Sequence, residues 1–77
     1  MKETLMFILK TILGEDKNIE LSEETESSGT INYNIEVSDD LKPRLIGKGG
    51  RTISAVYHLL NIQAKRENTR IHLKIKD

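Results

Sequence analysis

The stretch Leu45-Ile46-Gly47-Lys48-Gly49-Gly50-Arg51-Thr52-Ile53 constrains this chain more than any other. Three glycines in four positions separate two apolar, helix-compatible segments, and cations stand on and beside the turn. Glycine there permits positive φ at a helix end and close approach of another backbone. A helix starting just after it offers free N–H groups and the positive end of its dipole to an anion. The pattern is G-x-x-G with an Ile on either side. A corner between two helices needs one glycine, and this one has three with flanking cations.

The elements around the turn follow from periodicity. Lys2 to Leu13 reads as an amphipathic helix with Leu5, Ile8, Leu9 and Ile12 on one face, stopped by Gly14. Phe7 projects from roughly the opposite side and is a weak candidate for partner contact. Ile19 to Val37 reads as a β-hairpin with its tip at Ser27-Ser28-Gly29, a loop that suits a type I turn closed by a bulge. That tip places Leu21 opposite Ile35, Glu23 opposite Tyr33 and Thr25 opposite Ile31. One face of the hairpin is apolar near its open end, and the other carries Glu20, Ser22, Glu24, Asn32, Asn34 and Glu36. A short helix is expected over about Leu41–Ile46, capped by Asp40 so that Pro43 falls in its first turn. A longer helix is expected over Arg51–Arg66, with Asn68 as its breaker. Ile53, Val56, Tyr57, Leu60 and Ala64 form the stripe that faces the sheet. Ala55, Leu59 and Ile62 form a second stripe, to pack beside the first helix or to face another molecule. Thr69 to Lys76 alternates strictly and is a third strand, its outward cations placed to pair with outward glutamates. Since the hairpin strands are antiparallel, the third must run parallel to one of them. The expected fold is α+β, in the order α-β-β-α-α-β, with a three-stranded mixed sheet covered on one face by helices.

Charge sharpens the reading of the turn. The formal net charge is zero, from 12 Lys+Arg against 12 Asp+Glu. Residues 1–40 hold 3 basic and 10 acidic side chains, and residues 41–77 hold 9 basic and 2 acidic. The halves thus carry −7 and +7. A ligand feels the local field within roughly 8–10 Å at physiological salt, so the split outweighs the sum. Attraction between the halves is the plain reading of that split, and it is compatible with an anionic partner at the glycine turn.

Element order and motif together resemble the type II KH domain of bacterial proteins. The likeness spans the whole chain, from Met1-Lys2-Glu3 through Ser38-Asp39-Asp40-Leu41 and the glycine turn to Ile71-His72-Leu73-Lys74-Ile75. Within that class it looks like the KhpA family of single-KH RNA-binding proteins. The resemblance implies a single KH domain over residues 1–77 that binds short single-stranded RNA and partners a larger KhpB/Jag-type protein in RNA regulation. In the KH mode the loop clamps the sugar–phosphate backbone of about four nucleotides. Mapped by motif, Gly47 and Gly50 give close approach, Lys48 and Arg51 contact phosphate, and the N–H groups from Gly49 to Thr52 donate to its oxygens. Ile46 and Ile53 shape the groove floor while belonging to the core. Arg44 either reaches the groove or is plain surface. Pro43 and Gly49 depart from the residues more usual in the family.

Other functions find little purchase. The chain has no cysteine, which excludes disulfides and Cys-ligated zinc and suits a cytoplasmic protein. His58 and His72 lie on different elements without metal-ligand spacing, and the serines lack a base and an orienting group. No metal, cofactor or catalytic residue is expected. The longest apolar run, Leu5 to Leu9, is too short to span a membrane. One Phe and two Tyr leave little for base stacking, so weak, sequence-tolerant binding is expected. Seventy-seven residues also leave little stability to spare, which favours pairing with another chain.

Overall fold

The computed structural model describes residues 1–76. Helix α1 spans Lys2–Leu13 and buries Leu5, Leu9 and Leu13, an i, i+4, i+8 line, with Ile8 and Ile12 at its margin. Glu3 in the first turn and Lys10 in the last complement the helix dipole. Gly14, at φ 118°, closes the helix by donating its N–H to the Lys10 carbonyl at 2.9 Å.

Strands β1 (Glu20–Thr25) and β2 (Ile31–Glu36) form the expected hairpin in the expected register, Leu21 opposite Ile35 and Thr25 opposite Ile31. Its tip is closed by Glu26 N–H to Thr30 carbonyl at 2.8 Å and Gly29 N–H to Glu26 carbonyl at 2.9 Å, with Gly29 at φ 95°. Strand β3 (Ile71–Ile75) runs parallel to β2, and the sheet order is β1-β2-β3. The register stacks Ile31 on Ile71, Tyr33 on Leu73 and Ile35 on Ile75, one apolar face against the helices.

Placing β2 in the middle separates the acidic strand from the basic one. The expected pairing of the third strand's cations with outward glutamates is met among the described residues by Lys76 with Glu36, and no ion pair reaches the β1 glutamates. Asn32 and Asn34 stand between the two strands, donating to Glu26 at 2.7 Å and Glu24 at 3.4 Å. Lys76 meets Glu36 of β2 at 3.6 Å, and Lys42 meets Asp39 at 2.9 Å. Each pair has at least one well-solvated partner and adds little stability. Among the described residues, most of the charge asymmetry is thus left unneutralised by direct ion pairs.

Helix α2 (Lys42–Ile46) starts one residue later than Asp40 would cap it. Leu41 holds the cap position, buried in the core, and its N–H bonds the Ser38 carbonyl at 3.0 Å. Asp40 belongs to that preceding turn. The neighbouring Ser38 side chain holds the Asp40 carboxyl pKa below the ordinary value. The turn closed on the Ser38 carbonyl takes up the residue that would have capped the helix. Pro43 still falls where no N–H is needed, because helical bonding begins with Leu45 N–H to Leu41 carbonyl at 3.0 Å.

Helix α3 spans Arg51–Arg66 and sinks Val56, Leu60 and Ala64 into the core. It ends with Asn68 at φ 54°, with Thr69 N–H on the Ala64 carbonyl at 2.8 Å and Asn68 N–H on the Lys65 carbonyl at 3.1 Å. That pair of bonds is a Schellman motif with Asn in place of Gly. The second stripe does not pack beside α1: Leu59 and Ile62 are each 56% exposed, and Ala55 is exposed as well.

Tyr33 is 1% exposed, on the core face opposite Glu23. Burial, reinforced by the Glu23 carboxylate, pushes its phenol up to about 12 from 10.0. The neutral phenol is favoured by folding, so its contribution is complete below pH 10 and is lost as pH rises through the folded value. Tyr33→Phe removes this dependence. Between pH 9 and pH 12 the stability difference, measured by urea unfolding, is expected to move toward the Phe variant by about 2–3 kcal/mol.

Candidate nucleic-acid interface

The glycine turn is built from three residues with three distinct constraints. Gly47 ends α2 by donating its N–H to the Pro43 carbonyl at 2.9 Å, at φ 76° and ψ 173°. Only glycine adopts that backbone readily. A Cβ there would meet the Thr52 hydroxyl and lie 2.7 Å from the Thr52 backbone nitrogen. Lys48–Gly50 then form a single 3₁₀ turn in which Gly49 (φ 64°) and Gly50 (φ 78°) are both left-handed. Nothing lies within 4 Å of a Cβ built on either one. Gly47 is fixed by packing, whereas Gly49 and Gly50 present bare backbone to solvent.

The turn uses some of the N–H groups expected to receive a phosphate. Gly50 donates to the Gly47 carbonyl at 3.1 Å, and Arg51 donates to the Lys48 carbonyl. Both groups leave the set available to an anion, because the chain enters α3 through a 3₁₀ turn rather than an open loop. The side-chain cations are better placed. Arg44, Lys48 and Arg51 are exposed and, among the described residues, enter no ion pair. Arg44 sits in the last turn of α2, three residues before Gly47. Thr52 is half-buried, its hydroxyl against Gly47.

The flanking isoleucines differ. Ile53 is half-buried and packs on the core, but Ile46 is 40% exposed and lies outside it. Helix α2 has five residues and Leu45 takes its inward position, so the next residue, about 100° round the axis, points outward. Ile46 is an apolar side chain presented beside the turn.

Next to the turn, Ile53, Ser54 and Tyr57 of α3 face His72 and Leu73 of β3 across a shallow depression of about 390 Å³. Strand β3 is an edge strand. Its ladder begins with Ile31 N–H to Arg70 carbonyl at 2.9 Å and ends with Lys76 N–H to Ile35 carbonyl at 2.8 Å. In a parallel ladder with that phase, Ile71, Leu73 and Ile75 turn their backbone groups away from β2, toward the open edge. Asn32 donates its amide to Glu26, and its carbonyl lies 3.2 Å from His72 Nδ1.

The residues singled out in the sequence, Ile46 to Thr52, thus form one continuous surface with Arg44 one turn away. Ser54, Tyr57, His72 and Leu73 complete it and were not legible as site residues. Their place depends on β3 joining β2 at the sheet edge, which alternation alone leaves open. Among the described residues no helix is long and apolar enough to cross a membrane, and no group of three or more His, Cys, Asp or Glu is placed to hold a metal ion.

Comparison with known proteins accords with this geometry. The family model described as KhpA/KhpB, KH domain, matches residues 2–75. The chain belongs to this family. RNA-binding protein KhpA of Chlamydia trachomatis is 35% identical over 77 residues, covering 100% of this chain and 97% of that protein. The proteins of the same name from Chlamydia pneumoniae and Chlamydia caviae are 35% and 32% identical, with the same coverage. No solved structure matches the chain significantly. The observed order α-β-β-α-α-β with a mixed three-stranded sheet is that of a KH domain, as the sequence resemblance implied.

Proposed function

We propose that this chain is a cytoplasmic, single-domain RNA-binding protein, not an enzyme, which grips single-stranded RNA at Gly47–Gly50 with low sequence specificity. The observation that carries this reading is the bare, left-handed backbone of Gly49 and Gly50, with nothing within 4 Å above it and Lys48 and Arg51 beside it. Backbone can approach backbone there, and a phosphate meets two cations. The relatives named RNA-binding protein KhpA support the choice of RNA. Low specificity follows from the aromatics: Tyr33 is buried, Phe7 lies on α1, and Tyr57 alone borders the depression. Stacking, worth roughly 1–3 kcal/mol per base, is thus restricted. Weak binding of this kind becomes useful through multivalency, and the naming of KhpB beside KhpA in the family description is compatible with a KhpB/Jag-type partner in RNA regulation. Replacing Lys48 and Gly49 by Asp and titrating single-stranded RNA tests the reading: affinity is expected to collapse while the fold persists.

A second role is compatible with the first. Leu59 and Ile62, each 56% exposed and joined by Ala55, give α3 an apolar outer stripe suited to a second copy of the chain. Two copies would present two RNA sites and raise avidity. Sedimentation is expected to give a dimer mass for the parent and a monomer mass for Leu59→Asp. A monomeric parent removes the homodimer.

A further inference from the structure

We infer that the RNA track continues from the glycine turn along the cleft between α3 and β3 to a second phosphate anchor formed by Lys65 and Arg70. This rests on the reading of Gly47–Gly50 as the first anchor. A depression of about 560 Å³, larger than the one beside the turn, lies between the C-terminal half of α3, the start of β3 and the hairpin tip. Tyr57 and His72 line both depressions, so the two adjoin at these side chains. The second is lined by Asn61, Lys65, Asn68 and Arg70 and by no carboxylate. Among the described residues neither Lys65 nor Arg70 enters an ion pair. Glu67, the nearest acid in the chain, accepts a hydrogen bond from Gln63 at 3.0 Å.

The occupant is the same RNA strand, for three reasons. The lining is cationic and amide-rich, matching phosphate with Lys65 and Arg70 and base edges with Asn61 and Asn68. The depression adjoins, at Tyr57 and His72, the one that Ile53 and Ser54 line beside the glycine turn. The spacing suits a strand too: from Arg51 to Lys65, α3 rises about 21 Å at 1.5 Å per residue. A strand of about four nucleotides, the length a G-x-x-G clamp holds, occupies one end of that track. A strand of about eight reaches both anchors.

The test compares unphosphorylated oligouridylates of about four and about eight nucleotides on the parent and on Lys65→Ala/Arg70→Ala, by fluorescence anisotropy across salt. Each phosphate contact on a single strand adds about 0.7 to the slope of log affinity against log salt. Two further contacts should therefore steepen the octamer's slope on the parent by about 1.4 relative to the tetramer's. From about 50 to 200 mM salt the octamer then loses about sevenfold more affinity than the tetramer does. The Lys65→Ala/Arg70→Ala variant is expected to bind the tetramer as the parent does and to lose the octamer's extra slope. A parent with equal slopes, or a variant that keeps the extra slope, overturns the second anchor alone. Tetramer binding that survives Lys48→Asp/Gly49→Asp, or binding of neither oligomer to the parent, overturns the glycine-turn reading and the second anchor together.

Discussion

Gly47→Ala is expected to cost about 4 kcal/mol of folding stability, far more than the same change at Gly49 or Gly50. Two penalties combine at Gly47. Its backbone lies at φ 76° and ψ 173°, where a residue with a Cβ is strained by roughly 1–3 kcal/mol. The added methyl would also sit 2.7 Å from the Thr52 nitrogen, which cannot move without shifting the start of α3. Overpacking of that kind costs typically 1–3 kcal/mol more. A domain of this size has only about 4–12 kcal/mol in total, so the variant should be largely unfolded or close to it. Gly49→Ala and Gly50→Ala meet open space and bear only the left-handed penalty, about 1–2 kcal/mol each. Urea midpoints of the three variants check this ranking. Equal losses would mean that the turn is flexible and that Gly47 is not packed as described.

This difference among the glycines also marks the limit of what the chain reveals without its coordinates. The sequence signals positive φ at the turn, because three glycines so close have few other uses. It does not signal which glycine packs on Thr52, since that contact depends on the angle between α2 and α3. Helix and hairpin limits were legible because each is a local period with a local stop: Gly14, Gly29 and Asn68 all adopt positive φ where a stop was expected. What failed was decided by competition or by tertiary placement. Asp40 lost the cap of α2 to a turn held by its own neighbour Ser38. Ile46 lost its place in the core because a five-residue helix has room for one inward side chain, Leu45. The outward cations of the third strand meet an outward glutamate at Lys76–Glu36, as their alternation implied, but with β2 between β3 and β1 the other described cations of that strand enter no ion pair. That order bears on function, because it leaves most of the basic half of the chain open to an outside anion.

The largest expected effect on binding belongs to Lys48→Asp combined with Gly49→Asp. The fold should tolerate both changes. Lys48 is exposed, Gly49 has nothing within 4 Å of its Cβ position, and Asp is among the residues that accept the left-handed backbone Gly49 adopts. The charge at the turn changes by −3, two units from Lys48 and one from Gly49. One unit charge about 4 Å from a phosphate is worth about 1 kcal/mol even at the dielectric constant of water, so the three together amount to about 3 kcal/mol. That corresponds to a loss of about a hundredfold in affinity. The effect should shrink as salt is raised, since the turn is solvent-exposed.

The central claim, that Gly47–Gly50 is where this protein holds RNA, is tested most directly by titrating a fluorescent single-stranded oligoribonucleotide with the parent and the double aspartate variant at low salt, alongside their urea midpoints. The account predicts a loss of about a hundredfold in affinity with a midpoint no lower than that of Gly49→Ala. An unchanged affinity in a variant that remains folded would contradict it.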